Sequence, residues 1–177
     1  MYTPAEVIDI YADIGAAKAA KPARTLFIAG IFAGFIIGMG AAVANTASYA
    51  LAAEHAWAAR VISGLLFPFG LGIVIIAGME LFTGNTLICI SVLDKKTRVL
   101  AMLRNWLVVI AGNFCGALLV AAGNVYAGQI GLAGGALAVY TIKTAAVKCG
   151  MPVGSAFVLG IFCNIMVCLG VLLSLSA

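Results

Sequence analysis

The chain has 177 residues, enough for one domain, yet 64% of them are hydrophobic and only 9% are charged. A soluble domain carries roughly 25% charged residues, and a disordered one combines low hydrophobicity with high charge. A mean hydropathy of +1.18 excludes both and leaves an all-α integral membrane protein. The formal net charge of +4 is no nucleic-acid signature, because the Lys and Arg residues sit between apolar runs and are not clustered with aromatics.

The first 24 residues read as an amphipathic helix on the cytoplasmic membrane surface. Thr3 can cap it, Pro4 suits the first helical position, and Glu6 stands where a capping box needs its carboxylate. Val7, Ile8, Tyr11 and Ile14 make the apolar stripe, with Asp9 and Asp13 off it. Those acids, and the lack of a basic n-region, speak against a cleaved signal peptide.

Residues 25–177 read as a transmembrane domain. Between Arg24 and Glu54 lie 29 residues without a charge, more than the ~20 a crossing needs, which predicts a first span over about 26–50. From Val61 to Leu93 the only charge in 33 residues is Glu80, and the run also holds Pro68 and five glycines. Proline and glycine bend or end helices, so 61–93 is predicted to cross as an interrupted helix, non-helical from Glu80 to Asn85. A third span is predicted over about 102–126. A glycine-rich stretch from Gly128 to Gly135 and a charged patch with Lys143 and Lys148 follow, then a fourth span over about 153–174.

Counting Lys and Arg in the flanks gives seven on the side of the N-terminus and the Lys95 loop and three on the other. The positive-inside rule therefore puts the N-terminus in the cytoplasm, and the expected location is the inner (cytoplasmic) membrane as a multi-pass chain. Gly30, Gly34 and Gly38, and again Gly112 and Gly116, recur every four residues. That spacing suits close helix packing, within the chain or between protomers.

Polar residues at membrane depth are costly and usually paired or functional. Glu80 either ties its loop through hydrogen bonds to backbone N–H groups or lines a polar path with Thr83 and Asn85. Asn164 either bonds between helices or borders the path. Lys148 is either a snorkelling anchor or a fixed charge that draws anions. The five cysteines read as small apolar filler, and the lone His55 as a solvated loop residue. No zinc motif, Walker loop or nucleophile elbow is present, so no enzyme activity, metal or cofactor is expected.

The stretch Ala77-Gly78-Met79-Glu80-Leu81-Phe82-Thr83-Gly84-Asn85-Thr86 resembles the signature loop of the formate/nitrite transporter family. Asn105-Trp106, Gly112-Asn113 and Gly116-Ala117 resemble the family's third helix, and Leu159-Gly160-Ile161, Asn164 and Met166-Val167-Cys168-Leu169 its fourth. Within the family the chain is most similar to the hydrosulfide channel branch. The resemblance implies an aquaporin-like formate/nitrite channel fold with an interrupted second helix, a homopentamer in membrane lipid, and one anion pore per protomer. It implies apolar constrictions at Phe67, Leu71, Leu81, Phe82 and Val167, with Glu80, Thr83, Asn85, Lys148 and Asn164 as pore and vestibule groups. The family has six spans, the fifth broken around a histidine that His55 cannot replace. This chain reads as four of them, with six expected in the full protomer.

The expected activity is a channel for small monovalent anions of weak acids (hydrosulfide, formate or nitrite) with proton assistance. The alternatives are a gated proton-coupled transporter for the same anions and a non-transporting assembly subunit.

Overall fold

The computed structural model describes residues 2–176, and among them every regular element is helical. Helix α1 spans Pro4–Ala20. The capping box at its start is formed: Glu6 N–H donates to Thr3 Oγ1 at 3.4 Å, and the Thr3 N–H donates to Glu6 Oε2 at 2.7 Å. These bonds, the backbone one first, hold the Glu6 carboxyl below its ordinary value. The cap therefore contributes fully above that ordinary value and is lost as pH falls through the lowered one. Thr3→Ala is expected to cost about 0.5–2 kcal/mol of helix stability, read as faster amide exchange in the first turn of α1 only.

The stripe that α1 buries is Val7, Tyr11, Ala12, Gly15 and Ala19, while Ile8 stays 41% exposed. The small residues of this stripe let α1 lie against α6 (Ile88–Leu93) and α7 (Val99–Tyr126). At Gly15 a side chain would run into Ser91 Oγ. Helix α1 is thus packed into the bundle end, where Ala19, Ile88 and Met102 form a small core with Val92, Ala101 and Trp106 against it.

After a turn at Lys21 and Pro22, α2 spans Ala23–Ser48. It crosses α7 in the most extensive contact of the fold, through backbone rather than side chains. Gly30 and Gly34 of α2 face Gly112, Asn113 and Gly116 of α7, and an added Cβ at Gly34 or Gly116 would overlap the opposite main chain. The glycine repeats thus serve packing within the chain. Gly116→Ala is expected to cost about 1–3 kcal/mol by overpacking, whereas Gly72→Ala, with open space around its Cβ, should leave the melting temperature in detergent nearly unchanged.

Helices α3 (Ala56–Leu66) and α4 (Pro68–Ile76) form one kinked crossing, with Pro68 in the first-turn position and Phe67 still helical. A Schellman cap ends α4. Met79 N–H donates to Val74 O at 3.0 Å and Gly78 N–H to Ile75 O at 3.1 Å, with Gly78 at φ +64°. Glycine takes that conformation without steric cost. The chain is extended at Leu81, resumes as the single turn α5 (Phe82–Asn85), and continues into α6. The interruption is therefore displaced toward the N-terminus from the expected Glu80 to Asn85, the two overlapping only at Glu80 and Leu81. It covers Ala77–Leu81, and Phe82–Asn85 is helical.

Past α7 the structure departs further from the sequence reading. The glycine-rich stretch is a 3-10 segment (Gln129–Gly135), broken by non-helical Leu132, Ala133 and Gly134. The charged patch is helix α8 (Ala136–Cys149). Together, 129–149 are long and apolar enough to cross a membrane by length and composition. The continuous part, α8, has 14 residues, or about 21 Å at 1.5 Å per residue, against ~30 Å of hydrocarbon. It packs on the Ser48 end of α2, where Asn45 Nδ2 donates to Thr141 Oγ1 at 3.5 Å. Helix α9 (Val153–Ser176) meets the fold through α5 and α1. Large apolar side chains such as Phe32, Leu107, Phe114 and Phe157 face outward, as lipid-facing surfaces do.

Candidate functional site

The interrupted crossing leaves backbone groups unpaired at Glu80–Phe82, and α7 supplies their partners. Asn113 accepts from the Phe82 N–H at 2.9 Å and donates to Glu80 O at 2.9 Å and Gly30 O at 2.8 Å. One amide thus ties the break to both α2 and α7. Trp106 Nε1 donates to Asn85 O at 2.8 Å, and its ring meets Phe82 edge to face at 6.1 Å. These bonds answer the requirement that irregular backbone at membrane depth be satisfied by protein.

Glu80 is fully buried, and its carboxylate does not bond backbone N–H groups as one sequence alternative had it. Lys18 Nζ donates to Oε2 at 2.9 Å, Lys21 Nζ to Oε1 at 2.7 Å, and Asn85 Nδ2 to Oε2 at 2.8 Å. Asn85, also buried, donates to Asn105 Oδ1 at 2.9 Å and accepts from Lys18 Nζ at 3.1 Å. Asn105 in turn donates to Lys18 O at 3.1 Å. Arg104 Nη2 donates to Ala19 O at 3.1 Å and to Lys21 O at 2.5 Å. The end of α1, whose last carbonyls have no intrahelical partner, is thereby fastened to α7. Tyr11 Oη donates to Gly84 O at 3.1 Å. Burial, with Glu80 adding to it, raises the Tyr11 phenol well above its usual value, so it remains a donor at any physiological pH.

On the other side of the break, Thr86 Oγ1 donates to Thr83 O at 2.7 Å and accepts from Asn164 Nδ2 at 2.8 Å. Cys168 Sγ lies 3.4 Å from Thr86 Oγ1 and 3.7 Å from Thr83 O, and its one hydrogen serves either acceptor. Asn164 thus bonds between helices. Its buried Oδ1 has no protein partner among the described residues.

A cavity of about 350 Å³ opens between α1, α4, the break and α9. Leu71, Leu81 and Asn85 line it, with Lys18, Lys21 and Tyr11 along the α1 wall. The other candidates lie outside its lining: Glu80 behind the lysines, Thr83 and Phe82 in α5, Val167 and Asn164 on α9, and Phe67, 43% exposed, at the α3–α4 kink. Lys148 is exposed in the last turn of α8, a helix at the opposite end of α2 from α1. The structure thus gathers Leu71, Leu81 and Asn85, with Glu80 bonded to Asn85. It leaves Phe67 and Lys148 apart.

Sequence reasoning passed over Lys18 and Lys21, which served only as topology charges, and Tyr11, which served only as apolar stripe. It read Cys168 as filler, and used Asn105, Trp106 and Asn113 only as family likeness. The spacing of Asn105 and Asn113, eight residues on one helix and hence on one face, is the signal that marks them. Among the described residues no His, Cys, Asp and Glu group could hold a metal ion.

The sequence profile of the formate/nitrite transporter family matches residues 5–177. The chain is 36% identical to the formate channel FocA of Haemophilus influenzae over 174 residues, covering 98% of this chain and 61% of that protein. It is 31% identical to formate channel FocA of Escherichia coli, with the same 98% and 61% covered. It is 30% identical to a probable formate transporter of Methanothermobacter thermautotrophicus, covering 99% and 70%. The chain thus spans 61% of the length of the two formate channels. These relatives are channels and transporters, not enzymes. With a profile match over nearly its whole length and a broken second crossing carried between apolar helices, the chain is a multi-pass membrane protein that belongs to the formate/nitrite transporter family.

Proposed function

We propose that the protein passes small monovalent anions of weak acids, namely formate, hydrosulfide or nitrite, along the broken second crossing. The observation that carries this reading is the cavity at the break, where two lysines stand on one wall and apolar Leu71 and Leu81 on another. Positive charge collects the anion, and an apolar constriction then favours its neutral form. Carrying a bare charge through a dry passage costs tens of kcal/mol in the idealised limit. Neutralising it costs about 1.4 kcal/mol per unit between its pKa and the ambient pH. For weak acids within a few units of neutrality the second route is cheaper, hence proton assistance. Phe67, Leu71, Leu81, Phe82 and Val167 are proposed as constriction residues, and Glu80, Thr83, Asn85, Lys148 and Asn164 as polar and vestibule residues. The protein is further proposed to be a homopentamer in the inner membrane with α1 on the cytoplasmic side.

The relatives' names support formate; hydrosulfide rests on the resemblance read from the sequence alone. Liposome flux of formate, hydrosulfide and nitrite, measured side by side in a pH gradient, decides among them. Flux of none of the three overturns the reading. Lys148→Glu is expected to lower flux several-fold at low ionic strength and less at high salt, because it reverses a charge that collects anions. Unchanged low-salt flux removes Lys148 from the vestibule.

A further inference from the structure

We propose that the Tyr11 hydroxyl positions the turn α5 and so sets how large an acid passes the break. It rests on the anion-passage reading and adds a basis for selection by size, with Tyr11 as a positioning residue.

A four-residue turn does not hold itself. Its own bonds are Asn85 N–H to Leu81 O at 2.9 Å and Thr86 N–H to Phe82 O at 3.1 Å, and its other buried peptide groups need partners from outside. The Phe82 N–H is held by Asn113 at 2.9 Å and Asn85 O by Trp106 at 2.8 Å, both from α7. Thr83 O is held by Thr86 Oγ1 at 2.7 Å. Gly84 O takes a long bond from the Leu87 N–H, 3.3 Å, where the ladder tightens to three-residue spacing between α5 and α6. Tyr11 Oη supplies its other bond, at 3.1 Å, from α1.

Of these outside holds only the one from Tyr11 borders the cavity. Tyr11, Leu81 and Gly84 line it, whereas Asn113, Trp106 and Thr86 do not. Val171 of α9 lines it too, and a Cβ on Gly84 would lie 3.6 Å from its Cγ2. Gly84 is thus where α1, α5 and α9 meet.

Tyr11 itself is fixed. It is the one large side chain of the buried α1 stripe, beside Val7, Ala12, Gly15 and Ala19, and it is 2% exposed. Its ring lies against Gly15, where an added Cβ would meet Cε1 at 3.4 Å. Lys18 and Lys21, through Glu80, and Arg104 and Asn105, through the last carbonyls of α1, hold the helix independently of Tyr11. Loss of the hydroxyl therefore leaves α1 in place and frees the turn. Phe82 stands on that turn and Leu81 directly before it, so a freed turn lets the constriction widen.

The test measures formate and acetate flux into liposomes that hold the full chain. Both anions carry one charge, and comparison with wild type cancels their difference in acidity, so the ratio reads size. Tyr11→Phe keeps the ring and should raise the acetate-to-formate ratio about threefold to tenfold, the equilibrium shift that one net hydrogen bond corresponds to. Amide exchange in detergent is the second readout: residues 82–88 should exchange faster by a similar factor, while residues 12–20 of α1 keep their wild-type rates. Tyr126→Phe, at a side chain 96% exposed, should change neither. An unchanged flux ratio in Tyr11→Phe overturns the proposal. So does faster exchange along α1 with 82–88 unmoved, the pattern of a tyrosine that only docks its own helix. If wild type passes neither anion, the passage reading falls and the size limit with it, and the exchange of 82–88 decides whether Tyr11 positions α5.

Discussion

Glu80→Ala is expected to cost about 3 kcal/mol of stability, the lower end of the 3–5 kcal/mol for breaking a buried ion pair from one side. The lower end applies because Lys18 and Lys21 keep 21% and 40% exposure and can turn their ammonium groups toward water. Asn85 loses an acceptor as well, which adds to the loss. The reverse deletion should be worse. In Lys18→Met/Lys21→Met the carboxylate, at 0% exposure, has no route to solvent and keeps only the Asn85 amide. Thermal or denaturant unfolding in detergent should therefore rank wild type above Glu80→Ala and Glu80→Ala above the double lysine variant. The opposite order would mean that water reaches Glu80 in the membrane.

The second large effect belongs to Asn113. Its replacement by leucine keeps the volume and removes three hydrogen bonds, two of them to the interrupted backbone at Glu80 O and Phe82 N–H. A buried group left without its partner costs about 1–3 kcal/mol, so these two give roughly 2–6 kcal/mol together. The Phe82 amide should also exchange much faster, since no helical carbonyl precedes it within reach. Asn124, on the same helix, donates only to its own Val120 O at 3.0 Å, and Asn124→Ala should stay within about 0.5 kcal/mol of wild type. Equal losses for the two asparagines would show that the break does not depend on α7.

The membrane class was plain in composition, and the interruption was plain in Pro68, Gly78 and the lone Glu80, because each acts on its own stretch of backbone. The loop boundary was less so. Leu81 is the last extended residue, and the turn Phe82–Asn85 is set by contacts with α7 that no local pattern encodes. The same limit hid the partners of Glu80, since Lys18 and Lys21 are 62 and 59 residues away and periodicity reports only neighbours within a turn or two. Helix α8 was missed for a different reason. Its two lysines drew attention as charges, while the run Ala136–Cys149, rich in alanine and free of glycine and proline, already carried helix propensity. Phe67 was placed with Leu71 by likeness; it is 43% exposed and lies outside the lining of the cavity that Leu71 borders.

The clamp around Glu80 also orders the birth of the protein. Synthesis runs from the N-terminus, so Lys18 and Lys21 leave the ribosome about sixty residues before the acid they hold. When the second crossing enters the bilayer, its carboxylate can already meet cations waiting at the membrane surface. The amides arrive later: Asn105 follows Asn85 by 20 residues, and Asn113 follows Phe82 by 31. Until then the Phe82 N–H and Glu80 O lack the partner that Asn113 gives them in the folded chain. Only when α7 slides along the glycine face of α2 does the amide of Asn113 reach them. The close backbone crossing is therefore also what delivers the last partners to the interrupted backbone.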